Sequence, residues 1–342
     1  MDVIKGLAGY VGENLGLLAP VDQAWQPTDF LPDLSAEDWA ERLTKFRESA
    51  ASLSDDVLVV LVGNMVTEEA LPNYAISLNQ IVKDATGTGD APWARWLRGW
   101  TAEENRHGDL LNAYLRLTGR VAMRRVEQTI HHLISQGFNP LRGGFDPNSE
   151  GDAYAGLIYA SFQERATRIS HANVARLAVA QGDDALARIC RRIAGDEARH
   201  ESFYTNVVGR VMERDPEGGV LAFRALLRGV IAMPGRQMAD GRTPDLYDRF
   251  AAVSQRLGAY TARDYARIIG HLVGVWRIAD LSLSGKAARA QDYLCRQAGR
   301  YELYADEVAA ALTGGPAVPF AWIRPGSRGP IGRAGDIGDN AA

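Results

Sequence analysis

The sequence predicts an all-α protein, a four-helix bundle core elaborated with additional helices. Three observations carry this. Apolar stripes at three-four spacing recur along the chain, as helices that bury one face require. A Glu-x-x-His pair, Glu104 and His107, returns about ninety residues later as Glu197 and His200, and residues three apart share a helix face. The segments before and after each pair form two hairpins of matched spacing.

The bulk properties narrow the classes. With 342 residues, 46% hydrophobic and 23% charged, the chain suits one large globular core. A formal charge of −4 gives no sign of a nucleic-acid binder. No stretch approaches the ~20 apolar residues of a membrane helix, so no membrane insertion is expected. The start lacks a signal core, and the protein is read as cytoplasmic and unprocessed. Only two cysteines occur, Cys190 and Cys295, both in helix-like sequence. They are expected as buried, reduced thiols rather than a disulfide or metal site.

In order, residues 1–35 mix Gly, Pro and aromatics and read as an irregular arm over the core. Residues 36–323 form a single domain. Ser35 is expected to cap a polar helix over 36–52, with Glu37 and Asp38 in its first turn. An unusually apolar helix over 55–84 must be central; its stripe of Leu58, Leu61, Met65, Glu68 and Pro72 puts Glu68 on the buried face, and Pro72 predicts a kink there. After the turn 85–92, a second central helix carries Leu97, Trp100, Glu104, His107, Leu111 and Tyr114 on one stripe and ends at Gly119. A shorter helix spans 121–135. The Gly/Pro-rich stretch 137–151 reads as a loop. The third central helix, 154–181, has Leu157, Ser161, Glu164 and His171 near one face. The fourth follows Gly182 and Asp183, with Leu186, Ile193, Glu197, His200 and Tyr204 in line. Further helical patterns run over 220–231, 246–257, 262–281 and 287–312. The aperiodic tail 324–342 is expected to be flexible.

Counting from the turns, Glu68 and Glu104 fall at nearly equal distances, as do Glu164 and Glu197. At ~1.5 Å rise per residue, each antiparallel pair brings its carboxylates to within about one turn in height. The constellation is therefore Glu68, Glu104, His107, Glu164, Glu197 and His200. One Glu from each of two helices plus Glu-x-x-His from two others is the ligand pattern of ferritin-like di-iron and di-manganese bundles. Four carboxylates formally balance two divalent ions. A single Glu-x-x-His is commonplace on a solvated helix face; its recurrence at matched spacing, in a chain with six histidines, is what singles this set out.

Around it, Thr167 lies three residues after Glu164 and can serve an oxygen site or bond its own backbone. Asp196 can hold the distal nitrogen of a ligand histidine or be a surface acid. His131, His132 and His271 lack ligand spacing and are assigned no role.

The stretches Met65-Val66-Thr67-Glu68-Glu69-Ala70-Leu71-Pro72, Trp100 to Leu111, Ser161-Phe162-Gln163-Glu164-Arg165-Ala166-Thr167 and Asp196-Glu197-Ala198-Arg199-His200 closely resemble the soluble acyl-acyl-carrier-protein desaturases typified by the plant stearoyl enzyme. So do 25–32, 255–262 and 318–323, and the resemblance covers about residues 20–325. It implies a homodimer with two iron ions (Fe2+) per subunit, and an O2-dependent reaction that leaves a cis double bond in an acyl chain on acyl carrier protein. Ferredoxin is the implied electron donor. The implied ligands are the six above, with Thr167 near the oxygen site and Trp25, His107 and Asp196 on the route of the electrons. Tyr74, Leu78, Trp100 and Leu157 are candidates to line an acyl tunnel, and Arg120, Arg124 and Arg125 to meet an acidic carrier. Leu157 stands where the plant enzymes usually carry an aromatic, the loop between Pro140 and Gly156 is longer, and no plastid leader is seen, which suits a bacterial member. Alternatives are a di-iron hydroxylase acting on a carrier-bound chain and ferritin-type iron storage. A ribonucleotide-reductase-like radical subunit shares only helix spacing.

Overall fold

A computed structural model describes residues 2–138, 149–229, 231–311 and 319–324. Among them are thirteen α-helices: α1 (Asp2–Gly6), α2 (Ala8–Glu13), α3 (Trp39–Ala51), α4 (Asp55–Glu68), α5 (Leu71–Val82), α6 (Pro92–Thr118), α7 (Met123–Gln136), α8 (Glu150–Gln181), α9 (Asp184–Arg214), α10 (Pro216–Arg228), α11 (Leu246–Leu257), α12 (Ala262–Val275) and α13 (Gly285–Ala311). The sole β-pairing among the described residues is an antiparallel bridge between Val121 and Ile323, which ties 319–324 to the start of α7. No single described helix is long and apolar enough to cross a membrane.

The bundle is α4, α6, α8 and α9. Residues Val57 to Gly63 of α4 are all buried, as an all-round apolar helix must be. Helices α8 and α9 form a long hairpin turned by Gly182 at φ 86°, a left-handed conformation that glycine adopts without strain. Asp183 then caps α9, accepting from Leu186 N at 2.8 Å, and takes the Tyr114 hydroxyl of α6 at 2.6 Å. The apolar interior falls into two clusters. One gathers Trp93 to Trp100 of α6, 153–166 of α8 and Phe203 to Met212 of α9. The other gathers α4, Leu110 to Leu115 of α6, Val174 to Ala178 of α8 and Leu186 to Ile193 of α9. On α6 and α9 the candidate ligands lie between the two clusters, and on α8 Glu164 stands near the end of the first cluster's stretch, so the site is a polar slab between two apolar halves.

Several expectations are corrected. Residues 2–13 are helical, not irregular, because Ile4, Leu7 and Val11 bury themselves against the core. Helix α3 starts at Trp39; Ser35 donates its backbone N–H and its hydroxyl to Asp33 and so caps nothing. The kink near Pro72 is a complete break between Glu68 and Leu71. Helix α12 ends at Val275, where Arg277 turns to a positive φ of 50°. Cys190 is buried but Cys295 is exposed. The tail beyond Arg324 and residues 139–148 of the expected loop lie outside the described residues.

Candidate metal centre

The six ligand candidates converge. Glu68, Glu104, His107 and Glu197 form one group whose ligand atoms lie within 4.8 Å of one another, and Glu104, Glu164, Glu197 and His200 form a second. Glu104 and Glu197 belong to both, so they stand between two positions. Glu68 with His107 flanks one position, and Glu164 with His200 the other. All six side chains are buried.

Each histidine turns Nδ1 inward. His107 Nδ1 lies 3.4 Å from Glu197 Oε1, 3.5 Å from Glu104 Oε2 and 3.9 Å from Glu68 Oε2. His200 Nδ1 lies 2.7 Å from Glu104 Oε1 and 3.6 Å from Glu164 Oε2. The outer nitrogens meet carboxylates: His107 Nε2 is 3.4 Å from Asp196, and His200 Nε2 is 3.1 Å from Glu103. Arg199 clamps both outer acids, at 2.6 Å to Asp196 and 2.7 Å to Glu103, and Ala19 N adds a 2.6 Å bond to Glu103. The terminal carboxylates are also held: His171 Nε2 lies 3.0 Å from Glu68 Oε1, and Trp100 Nε1 donates to Glu164 Oε1 at 3.1 Å.

Four inward atoms make no aligned hydrogen bond despite full burial: Glu104 Oε1, Glu197 Oε1, His107 Nδ1 and His200 Nδ1, the 2.7 Å approach of His200 Nδ1 to Glu104 Oε1 being an ion-pair contact alone. Orphaned buried acceptors are costly, and these four face one another. Mixed carboxylate and imidazole donors with outer acids orienting the imidazoles make a fitting set for two iron ions.

The electrostatics agree. Burial raises Glu68 to about 7 against its ordinary 4.5, even with His171 beside it. Burial likewise pushes Glu164 well up, with Glu104 adding to the effect. For Glu104 burial is outweighed by His107 and His200, and its carboxyl is held low. Burial opposes charge on both imidazoles, yet Glu104 and the outer acids raise His107 and His200. Asp196 is held low against burial by His107, Arg199 and Trp25. The protein alone thus keeps protons where dications would sit.

The other expected residues are placed as follows. Trp25 is buried, donates Nε1 to Asp196 at 2.7 Å, and stacks on His107 with centroids 6.1 Å apart at 4°. Thr167 bonds its own helix, to the carbonyls of Gln163 (3.2 Å) and Glu164 (3.1 Å), yet also lines a cavity beside Glu68. Tyr74, Leu78 and Trp100 line a second cavity, but Leu157 packs in the core and Gly156 takes its place in the wall. Arg120 is buried and bonds the Ala50 carbonyl at 2.8 Å and Asp55 at 2.8 Å, so it meets no partner at the surface. His271 lies 3.6 Å from the buried Glu201; His131 and His132 are exposed. Sequence reasoning missed Glu103 and His171 as holders of the ligands.

Two cavities flank the slab. One of about 470 Å3 runs from Glu68, Thr167 and His171 past Ile231, Met233 and Tyr260 to Tyr304. The other, about 340 Å3, runs from Glu164 and Trp100 past Tyr159 and Ile81 to Ile76.

Fold and site together define a ferritin-like helical protein with a paired carboxylate-histidine centre. The family model described as fatty acid desaturase matches residues 1–324. The chain is 50% identical over 327 residues to an acyl-[acyl-carrier-protein] desaturase, chloroplastic, from Cucumis sativus, covering 94% of this chain and 81% of that one. It is 49% identical, with the same coverage, to a stearoyl-[acyl-carrier-protein] 9-desaturase, chloroplastic, from Ricinus communis. Among solved structures, the Mycobacterium tuberculosis protein DesA2 shares the fold, with a TM-score of 0.51 at 19% identity over 85% of this chain and 99% of that one. The chain belongs to the fatty acid desaturase family and is an oxidoreductase whose cofactor is a pair of iron ions.

Proposed function

We propose that this enzyme introduces a cis double bond into an acyl chain borne on acyl carrier protein, using O2 and electrons from ferredoxin, as a homodimer. The observation that carries the proposal is the buried six-residue centre with a largely apolar cavity on either side. Glu68, Glu104, His107, Glu164, Glu197 and His200 are the residues that would hold the two ions, Glu104 and Glu197 being members of both donor groups.

An unactivated methylene offers no acidic proton, and the metal pair, when bound, supplies the oxidising power. The residues supply placement. Asp196 and Glu103 fix the proton of each imidazole on Nε2 and leave Nδ1 free for metal. Trp100 and His171 hold Glu164 and Glu68. Thr167 is proposed to sit beside the oxygen-binding position. The cavities hold one carbon pair of a flexible chain at the centre, and fixing that geometry is a large part of the work. Trp25, stacked on His107 and bonded to Asp196, supports a route for electrons from the surface.

For the carrier, Arg124, Arg125, Arg242 and Arg324 converge on a concavity of about 400 Å3. None of the four pairs with a carboxylate among the described residues. Unbalanced guanidinium groups in a chain of net charge −4 favour an acidic partner. The 234–242 segment that brings Arg242 also supplies Pro234, Gly235 and Arg236 to the cavity walls, which supports the carrier here and the electron donor at Trp25.

Incubating the iron-loaded protein with reduced ferredoxin, O2 and a panel of acyl carriers tests the reading. Product mass should fall by two hydrogens. A gain of one oxygen indicates a hydroxylase instead, and assembly into an iron-filled cage indicates storage.

A further inference from the structure

The two imidazoles differ in their aromatic surroundings. His107 has Trp25. His200 faces a buried aromatic cluster of which the reaction above uses Trp100 and leaves the other rings without a role. Trp93, Trp96 and Trp100 stand at three-four spacing on one face of α6 and account for three of the seven tryptophans. The Trp96 ring stands near-perpendicular to the His200 ring with centroids 6.4 Å apart, and the Trp100 centroid lies 6.5 Å from it. Phe203 stacks on Trp96 with centroids 3.3 Å apart and meets Trp93 edge-on at 6.4 Å. Tyr204 lies between Trp96 and Trp100, at 6.0 and 6.3 Å, and its oxygen accepts the Trp96 indole N–H at 3.3 Å. Trp93 ends the series at the rim of the bundle, 7% exposed and bonded to the Ile4 carbonyl.

Packing alone asks only for volume, which leucine or phenylalanine supplies. Here two easily oxidised indoles, joined through the Phe203 ring, run from beside a metal-ligand imidazole toward the edge of the bundle, with successive ring centroids 6.4, 3.3 and 6.4 Å apart.

We propose that Trp96 and Trp93, bridged by Phe203, form an escape path for oxidising equivalents when O2 is activated with no acyl chain in place. The inference rests on the desaturase reading. Trp96 gives one electron toward the centre and becomes a radical cation, its N–H proton retained in the hydrogen bond to Tyr204. Trp93 refills Trp96 with one electron, and a water-soluble reductant such as a thiol refills Trp93 at the rim. No atom leaves the protein, and the oxidised thiol carries the equivalent away. Without this path the oxidant attacks the nearest C–H or imidazole of the site.

The test mixes reduced, iron-loaded full-length protein with O2 in the absence of acyl carrier and freezes samples on a millisecond scale. Electron paramagnetic resonance with ring-deuterated tryptophan should show a transient tryptophan radical, absent in Trp96→Phe. Trp93→Phe, which keeps an aromatic ring at this position, should leave the Trp96 radical but lengthen its lifetime several-fold. Peptide mass mapping after repeated substrate-free cycles should show oxidation concentrated at Trp93 in wild type and moved to His200 and its neighbours in Trp96→Phe. Desaturation with substrate present should be unchanged in both variants. A radical confined to Trp25, or lifetimes and oxidation maps identical in all three proteins, overturns the proposal. Loss of the desaturation reaction in wild type is a separate outcome that sinks the desaturase reading.

Discussion

Glu103→Gln puts the holding of His200 to a direct test. The carboxylate takes three donors: His200 Nε2 at 3.1 Å, Arg199 Nη2 at 2.7 Å and Ala19 N at 2.6 Å. Glutamine has the same shape but only one accepting oxygen, so its amide N–H2 must face one of those donors. If it faces His200, the imidazole proton moves to Nδ1, the nitrogen meant for metal; if it faces Ala19 or Arg199, a buried donor pair clashes. Loss of such an outer carboxylate costs about 10- to 100-fold in metal affinity, or about 1.4–2.8 kcal/mol. Only one of the two positions depends on His200. Competition against a graded chelator should therefore show iron falling to one ion per chain at a chelator strength that leaves two on wild type. Asp196→Asn should do the same through His107. Unchanged occupancy in both variants would falsify the view that these acids set the imidazole tautomers.

Further predictions concern pH, packing, tunnel length and docking. Glu68, raised to about 7 mainly by burial, holds a proton in the folded metal-free protein that the unfolded chain releases above its ordinary 4.5. His107 and His200, raised by their carboxylate neighbours, act in the same sense above 6.5. Glu104, held low, acts oppositely but only as pH falls through the acid range. Between pH 5 and 8, thermal melts in chelator should thus show stability falling as pH rises, with a slope of about 1.4 kcal/mol per pH unit for each such proton, while iron affinity rises; parallel trends would contradict the assignment. Gly63→Ala would set its Cβ 2.0 Å from the Phe250 ring across the α4–α11 contact, and urea unfolding should report a loss of about 1–3 kcal/mol. Gly156→Ala places a methyl 2.7 Å from Ile81 in the wall of the smaller cavity, so product analysis should shift toward shorter acyl chains. Arg124→Glu with Arg242→Glu should raise the KM for acyl carrier several-fold and flatten its salt dependence, with kcat held; an unmoved KM assigns the carrier to another face.

The ligands were legible because metal chemistry forces a regular pattern. Glu104 with His107, and Glu197 with His200, must share a face, and their heights must match across two hairpins. His171 also carried a signal, standing two turns after Glu164 on the same face of α8, but nothing marked Glu68 as its partner. Glu103 carried none. It sits one residue from Glu104, a quarter-turn off the stripe, where an acid reads as solvated; its burial comes from Arg199 and from Ala19, 84 residues away. Pro72 announced a disturbance near Glu68, but whether the helix bends or breaks depends on tertiary support, here the Tyr74 hydroxyl on the Thr67 carbonyl at 2.9 Å. The short helices α1 and α2 follow from burial of Ile4, Leu7 and Val11 on a bundle whose surface the sequence does not display.

One regularity joins the two motifs more closely than ligand spacing does. Glu103-Glu104-x-x-His107 and Asp196-Glu197-x-x-His200 share one pattern: an acid, the ligand glutamate, two spacers and the ligand histidine. The leading acid of each does not serve its own histidine. Glu103 takes His200, and Asp196 takes His107, so as the index rises by four on α6 it falls by four on α9. That register belongs to antiparallel helices related by a local two-fold axis through the centre. A leading acid lies one turn away from its own histidine, too far along the axis to reach the outer nitrogen, but level with the histidine of the opposite helix. Each imidazole is therefore oriented only when both helices are in place. Arg199, bonded to both acids, adds a tie that a slip of either helix would break. The metal site and the α6–α9 register thus specify each other, and a substitution at Arg199 should loosen both ions together rather than one.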